Sequence, residues 1–308
     1  MHSQQVMCPL ILGGPPRSGT TLFSSLLDGH SDINWFIDEG FFFEHLHGLP
    51  PDDADRFVRA AVFDTDSLIE GLRDRSIMPP TSQTTDFPAL KIPWSEESFR
   101  RELTGRKPTT VRDLWNLLRD AYLAGFGYTP RRYLSMKAAD YGRSVFGALD
   151  HLEEARGVII VRDPIESINS LKAYRRKWQR RLLTWPTLVE AVLSMNAMVS
   201  LVDKYDKSRL SIVRYEDFSG NREASMRALC DWLGIDFEPV MTRPSMMGVP
   251  WSNNSSFTEL PSGVDPLPER RSVLSVAERE YLAWALEPFQ QRFGYARDKS
   301  GIVARELT

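Results

Sequence analysis

Residues 14–21, Gly-Pro-Pro-Arg-Ser-Gly-Thr-Thr, gather one guanidinium, three hydroxyls and two glycines into a single turn. Glycine at both positions frees the backbone to direct its N–H groups toward one point, and a turn of that kind cradles an anion. The Gly-x4-Gly spacing is that of a nucleotide-triphosphate loop, yet Thr20 stands where such a loop carries the lysine that serves the β- and γ-phosphates. Arg17 puts a cation inside the turn instead, beside the hydroxyls of Ser18, Thr20 and Thr21. The set suits a shorter anion at the 5′ end of a nucleotide. A second set lies far along the chain, at Arg162 and, eight residues later, Ser170. A fork-shaped guanidinium and a hydroxyl near a helix start can share one phosphate. The third set is the acidic pair Asp38-Glu39.

Each set sits at the end of an expected parallel strand, which is where open α/β sheets bind ligands. Leu10–Leu12 is a short apolar run followed by the turn Gly13–Gly19 and a helix over Thr20–Leu27, with Leu22, Phe23, Leu26 and Leu27 on one side and Gly29 at its end. Ile33–Ile37 reads as a second strand, running into Asp38-Glu39-Gly40 and the aromatic segment Phe41-Phe42-Phe43-Glu44-His45. Tyr133–Met136 is a third, ending at Lys137. Gly157-Val-Ile-Ile-Val has the branched aliphatic content of a central strand, with Arg162 at its carboxyl end and Asp163-Pro164 opening a helix. Leu210–Val213 supplies another, followed by Arg214-Tyr215-Glu216-Asp217-Phe218 and a helix over Arg222–Leu233 closed by Gly234. Between the second and third strands, residues 50–130 show helical spacing at Asp55–Phe63, Ser67–Arg75, Glu96–Leu103 and Val111–Phe126, separated by Pro79-Pro80, Pro88, Pro93 and Pro108. That pattern predicts a helical insertion. One closing helix is predicted over Ser275–Phe293.

Pro16-Arg17-Ser18-Gly19-Thr20-Thr21-Leu22 resembles the 5′-phosphosulfate loop of sulfotransferases that use 3′-phosphoadenosine 5′-phosphosulfate (PAPS). Arg162-x7-Ser170 after a buried strand resembles that family's 3′-phosphate site. Tyr215-Glu216-Asp217, then a helix and Trp232-Leu233-Gly234, resembles the segment whose tyrosine holds the adenine end of the donor. The resemblance runs from Leu10 to Leu233 and implies one domain over 1–308, with a helical insertion at 50–130 and a nucleotide-closing region at 240–275. The implied architecture is a three-layer α/β fold like that of the P-loop kinases, with a central parallel sheet of about five strands. The implied donor contacts are Arg17, Ser18, Gly19, Thr20, Thr21, Leu22, Arg162, Ser170 and Tyr215, together with Ser255 and Arg271 from the late closing loop.

The resemblance also implies a mechanism: in-line attack of an acceptor hydroxyl on the donor sulfur, with 3′,5′-diphosphoadenosine (PAP) as product and no metal. Glu39 is the closest match to the family's base, with Asp38 beside it, and Lys137 and Arg17 match the groups that stabilise developing charge. In cytosolic members a histidine two residues after the lysine is the base, but Ala139 holds that place here, which moves the role to Glu39. The usual order of such a sheet sets the strand of Glu39 next to that of the loop. Two competing readings use the same residues. A phosphotransferase would need a triphosphate and a metal ordered by Asp163, and a nucleotide- or glycan-binding protein would carry the site without turnover.

At 308 residues the chain has room for one elaborated α/β domain, and a net charge of −3 gives no general attraction to nucleic acid. The six cations Lys172, Arg175, Arg176, Lys177, Arg180 and Arg181 read as a mainly solvated helix face. His30, His45 and His47 follow no compact ligand spacing, which argues against a metal site. Cys8 and Cys230 sit beside apolar runs and make no disulfide framework. No membrane-length apolar run and no leader pattern is expected, so the sequence points to a cytoplasmic enzyme whose partner is a hydroxyl-bearing sugar, lipid, peptide or small alcohol.

Overall fold

The computed structural model describes residues 7–39, 41–60, 94–177, 183–250 and 272–295. Five parallel strands form one sheet: β1 (Cys8–Gly13), β2 (Ile33–Glu39), β3 (Tyr133–Ala138), β4 (Arg156–Val161) and β5 (Leu210–Arg214), in the order β2-β3-β1-β4-β5. The chain leaves β1 toward β2 on one side of the sheet and leaves β4 toward β5 on the other. The crevice between the carboxyl ends of β1 and β4 is therefore the switch point at which such sheets bind ligands. The order corrects one expectation, because β3 lies between β1 and β2. Glu39 is thus two strand spacings, about 10 Å, from the loop's strand rather than one.

The helices follow the apolar spacing of the sequence. On one stretch of chain after β1 come α1 (Thr20–Ser25) and α2 (Pro51–Ala60), then α3 (Glu96–Thr104) and α4 (Val111–Phe126) of the insertion. After β3 and β4 come α5 (Arg143–His151), α6 (Pro164–Lys177) and α7 (Trp185–Val202). Beyond β5 follow α8 (Tyr215–Gly220), α9 (Arg222–Leu233), a short hairpin of β6 (Ser245–Met246) and β7 (Val249–Pro250), and finally α10 (Val276–Ala285) and α11 (Glu287–Arg292). Helix α1 ends two residues before the expected Leu27, since Leu26 and Leu27 make tighter bonds back to Phe23 and Ser24. The first insertion helix starts at Pro51, where proline suits a first turn, rather than at Asp55. The helix expected over Ser67–Arg75 lies outside the described residues. The single closing helix is two, broken at Leu286 because Pro288 cannot donate back into the preceding turn.

The insertion protects the sheet. Helix α4, opened by a Thr110/Asp113 capping box and closed by Gly127 at φ 63°, buries Leu114, Trp115, Leu118 and Tyr122. The Tyr122 ring stacks on Phe36 of edge strand β2 at 3.9 Å, and Phe126 stacks on Tyr122 at 4.4 Å. These rings cover one face of the edge strand. Among the described residues one helix, α7, has the length and composition of a membrane span. Its Leu188, Val192, Met195 and Met198 are buried in the core.

The closest backbone approach in the crevice falls at Gly14. Its φ is 151°, and a Cβ there would lie 2.2 Å from the carbonyl oxygen of Ile160 on β4. No rotation of a side chain relieves a clash with backbone. Gly14→Ala should cost at least about 2 kcal/mol of stability in urea unfolding. Gly48→Ala, at φ 76° but with nothing within 4 Å, should cost only about 1 kcal/mol. Equal costs would mean that the loop can move off β4 without penalty.

Candidate functional site

The turn after β1 closes with Ser18 N donating to the carbonyl of Pro15 at 3.1 Å. Gly19, at φ 99°, is the N-cap of α1, and no side chain caps that helix's first turn. The Ser18 hydroxyl is fully buried with no hydrogen-bond partner. Buried orphan hydroxyls are costly, and one beside an uncapped turn fits a loop built to receive acceptor oxygens. Arg17 has φ 72°, a conformation that a residue with a Cβ adopts only under constraint from its neighbours.

That constraint comes from two helices. Arg17 Nε donates to Ser170 Oγ of α6 at 3.5 Å, and its guanidinium lies over the Tyr174 ring at 5.0 Å. Arg162, at the end of β4, donates to the carbonyl oxygen of Arg17 at 3.4 Å, and its guanidinium lies over the Tyr215 ring at 4.5 Å. Neither a carbonyl nor an aromatic face supplies a counter-charge to the guanidinium. Tyr215 in turn packs on the loop, since a Cβ at Gly19 would sit 2.5 Å from its ring. Phe218 stands edge-on to both Tyr215 and Phe23, which locks α8 against α1. Arg17, Ser18, Gly19, Arg162, Ser170 and Tyr215 are therefore one cluster, with Thr20 buried beside them and Thr21 and Leu22 half-buried. Ser255 and Arg271 lie outside the described residues.

The other side of the crevice is built on β3. Lys137 is 7% exposed and pairs in register with Leu12 of β1 and with Glu39 of β2. Between Trp35 and Glu39 the register slips, so that four steps along β2 match two along β3, Ser135 to Lys137. This bulge sets Glu39 beside Lys137, and bulges often re-aim a residue next to a site. Asp140, close behind, accepts from Gly142 N at 3.1 Å, Ser144 N at 2.8 Å and Ser144 Oγ at 2.5 Å. It caps α5, and burial raises its carboxyl above the ordinary range despite those donors. Tyr141, at φ 61°, donates its N–H to the Gly14 carbonyl at 3.0 Å, and burial pushes its phenol up to about 12.

Several expected groups serve the scaffold instead. Lys172 is bound by both oxygens of Glu278 at 2.7 and 2.6 Å, which ties α6 to α10. Asp163 accepts from Ile165 N and Glu166 N, so its carboxylate caps α6. The buried His30 bonds to the Asp236 carbonyl and accepts from Asp32 N, while His47 bonds to Asp150 and His45 faces solvent. Arg180 and Arg181 lie outside the described residues. Sequence reasoning missed Tyr174 and Tyr141. The signal for Tyr174 was available, since it stands four residues after Ser170 and so on the same helix face.

A model of the sulfotransferase family matches residues 9–239. Among solved structures, the sulfotransferase domain from the curacin biosynthetic pathway is similar at 17% identity over 79% of each chain, with a TM-score of 0.50. The sulfotransferase domain of the olefin synthase of Synechococcus PCC 7002 is similar at 14% identity over 96% of this chain and 98% of that one, with a TM-score of 0.49. A sulfotransferase from Alicyclobacillus acidocaldarius is similar at 14% identity over the same shares, with a TM-score of 0.46. No curated protein gives a match.

The loop geometry predicts a measurable anion effect. Inorganic sulfate at ten times its Kd should raise unfolding free energy by about 1.4 kcal/mol. Arg17→Gly should keep stability without sulfate within about 1 kcal/mol of the parent, because relief of the left-handed backbone offsets the lost cation–π contact. It should also abolish the response to sulfate. A response that survives the substitution places the anion elsewhere.

Proposed function

Because the chain belongs to the sulfotransferase family, we propose that it moves a sulfuryl group from PAPS to an acceptor hydroxyl. The observation that carries the choice of donor is the junction at Arg17. Its backbone carbonyl receives Arg162 while its side chain reaches Ser170, which joins a loop for the 5′-phosphosulfate to a guanidinium and hydroxyl for a 3′-phosphate. A donor with anions at both ends of its ribose satisfies both halves. The loop N–H groups and the Ser18, Thr20 and Thr21 hydroxyls take the phosphosulfate oxygens, Arg162 and Ser170 take the 3′-phosphate, and Tyr215 borders the nucleoside. In the phosphotransferase reading Asp163 would order magnesium, but its Oδ1 caps α6, and the loop has no lysine to serve a triphosphate.

In the proposed reaction the acceptor oxygen attacks sulfur as the bond from sulfur to the bridging oxygen breaks. PAP leaves with that oxygen, and the acceptor proton passes to Glu39. Lys137, in register between the loop's strand and Glu39, stabilises the charge that collects on the bridging oxygen. The chemistry requires a hydroxyl-bearing acceptor and leaves its class open to a screen with labelled donor.

Three substitutions test the assignment. Arg162→Ala should weaken PAP binding by about 2 to 3 kcal/mol, the scale of a lost charge-assisted contact, while leaving adenosine 5′-phosphosulfate nearly unaffected. Equal loss for both ligands in calorimetry would remove Arg162 from the 3′-phosphate. Glu39→Gln should lower turnover roughly 10²- to 10⁴-fold and leave donor affinity intact, with Asp38→Asn far milder. If the two variants exchange behaviour in a rate assay, Asp38 is the base.

A further inference from the structure

The cluster around Arg162 is held from a part of the chain that the family model does not reach. That match ends at residue 239, whereas Tyr295 follows α11 and is 4% exposed. Its hydroxyl donates to Glu216 Oε2 at 2.6 Å. The other oxygen of the same carboxylate, Oε1, accepts the backbone N–H of Asp163 at 3.0 Å. That N–H belongs to the peptide plane joining Arg162 to Asp163, so its orientation sets the direction in which the Arg162 side chain leaves β4. Glu216 also directly follows Tyr215, whose ring lies under the Arg162 guanidinium. The phenol is itself fixed, because the Arg214 guanidinium lies over the Tyr295 ring at 4.4 Å.

Resting on the donor reading above, we propose that Tyr295 is a positioning residue for the 3′-phosphate. It holds the Glu216 carboxylate so that one oxygen pins the Arg162–Asp163 peptide, and thereby presets the Arg162 guanidinium. Glu216 is itself exposed, and without the buried phenol its carboxylate would be free to turn to solvent. The preset geometry removes an ordering cost that binding would otherwise carry. The C-terminal helix pair thus tunes affinity for the 3′-phosphorylated donor without touching it.

The test uses the full chain with Tyr295→Phe, which keeps the ring over Arg214 and removes only the hydroxyl, and with Glu216→Ala. Calorimetry should show PAP binding to Tyr295→Phe about five- to tenfold weaker, the scale of one net hydrogen bond, with adenosine 5′-phosphosulfate within about twofold of the parent. Adding Tyr295→Phe to Glu216→Ala should change PAP affinity by less than about twofold, because the two act through one carboxylate. Residue-resolved hydrogen exchange should show the Asp163 amide exchanging faster in Tyr295→Phe with no ligand present. Unchanged PAP affinity, equal loss of both ligands, or additive substitutions would overturn the proposal. A parent protein that binds no PAP would instead sink the donor reading, and the exchange of Asp163 would still report on whether the tie exists.

Discussion

The site depends on one close contact, that of Gly14 with the backbone of β4. Because a carbonyl oxygen of β4 occupies the space a Cβ would need, the turn after β1 can lie flat against the end of the neighbouring strand. That approach brings Arg162 to the carbonyl of Arg17, and so sets two guanidinium-bearing residues side by side at the switch point of the sheet. The same contact explains why the loop does without the lysine of a triphosphate site: the cation comes from within the turn and from the adjacent strand.

Costly conformations occur at the same rim. Arg17 and Tyr141 both have positive φ, the Ser18 hydroxyl is buried without a partner, and β2 slips its register just before Glu39. Farther from the crevice, two buried or half-buried groups show full pairing. His30 is satisfied at both ring nitrogens, and Asp150 accepts from Tyr205, His47 and Gly48, which holds its carboxyl below the usual range against the opposing effect of burial. Strain at a rim beside well-satisfied groups of this kind is the pattern expected where a fold is shaped by what it binds.

The sheet was legible in the sequence because its strands are short apolar runs bounded by glycine, proline or charge, and all five appear where those runs lie. The loop, Arg162, Ser170 and Tyr215 were legible because each sits one turn or less from a strand end. Strand order was not. The position of β3 between β1 and β2 follows from pairing across about a hundred residues of chain, which no local pattern encodes. The bulge in β2 is hidden for the same reason, since register belongs to the pair of strands. Pro288 did announce the break between α10 and α11, and a reading that weighed it above the apolar spacing would have placed it. The tie from Tyr295 to Glu216 joins residues 79 apart and carries no motif, so only the folded chain reveals it.

The order β2-β3-β1-β4-β5 also divides the labour of the proposed reaction. The donor half rests on β1, β4, α6 and α8, with Tyr295 behind them. The acceptor half rests on β3 and on edge strand β2, whose position is set by the stack of Phe36, Tyr122 and Phe126 from the insertion. Lys137 is the seam, since its strand touches both β1 and β2. Changes in the insertion can therefore shift the base and the acceptor surface without disturbing the contact at Gly14 on which donor binding depends. The edge strand braced by the insertion lies beside a central crevice fixed by backbone contact. In the proposed reaction the central strands thus carry the donor half, and the edge strand braced by the insertion carries the acceptor half.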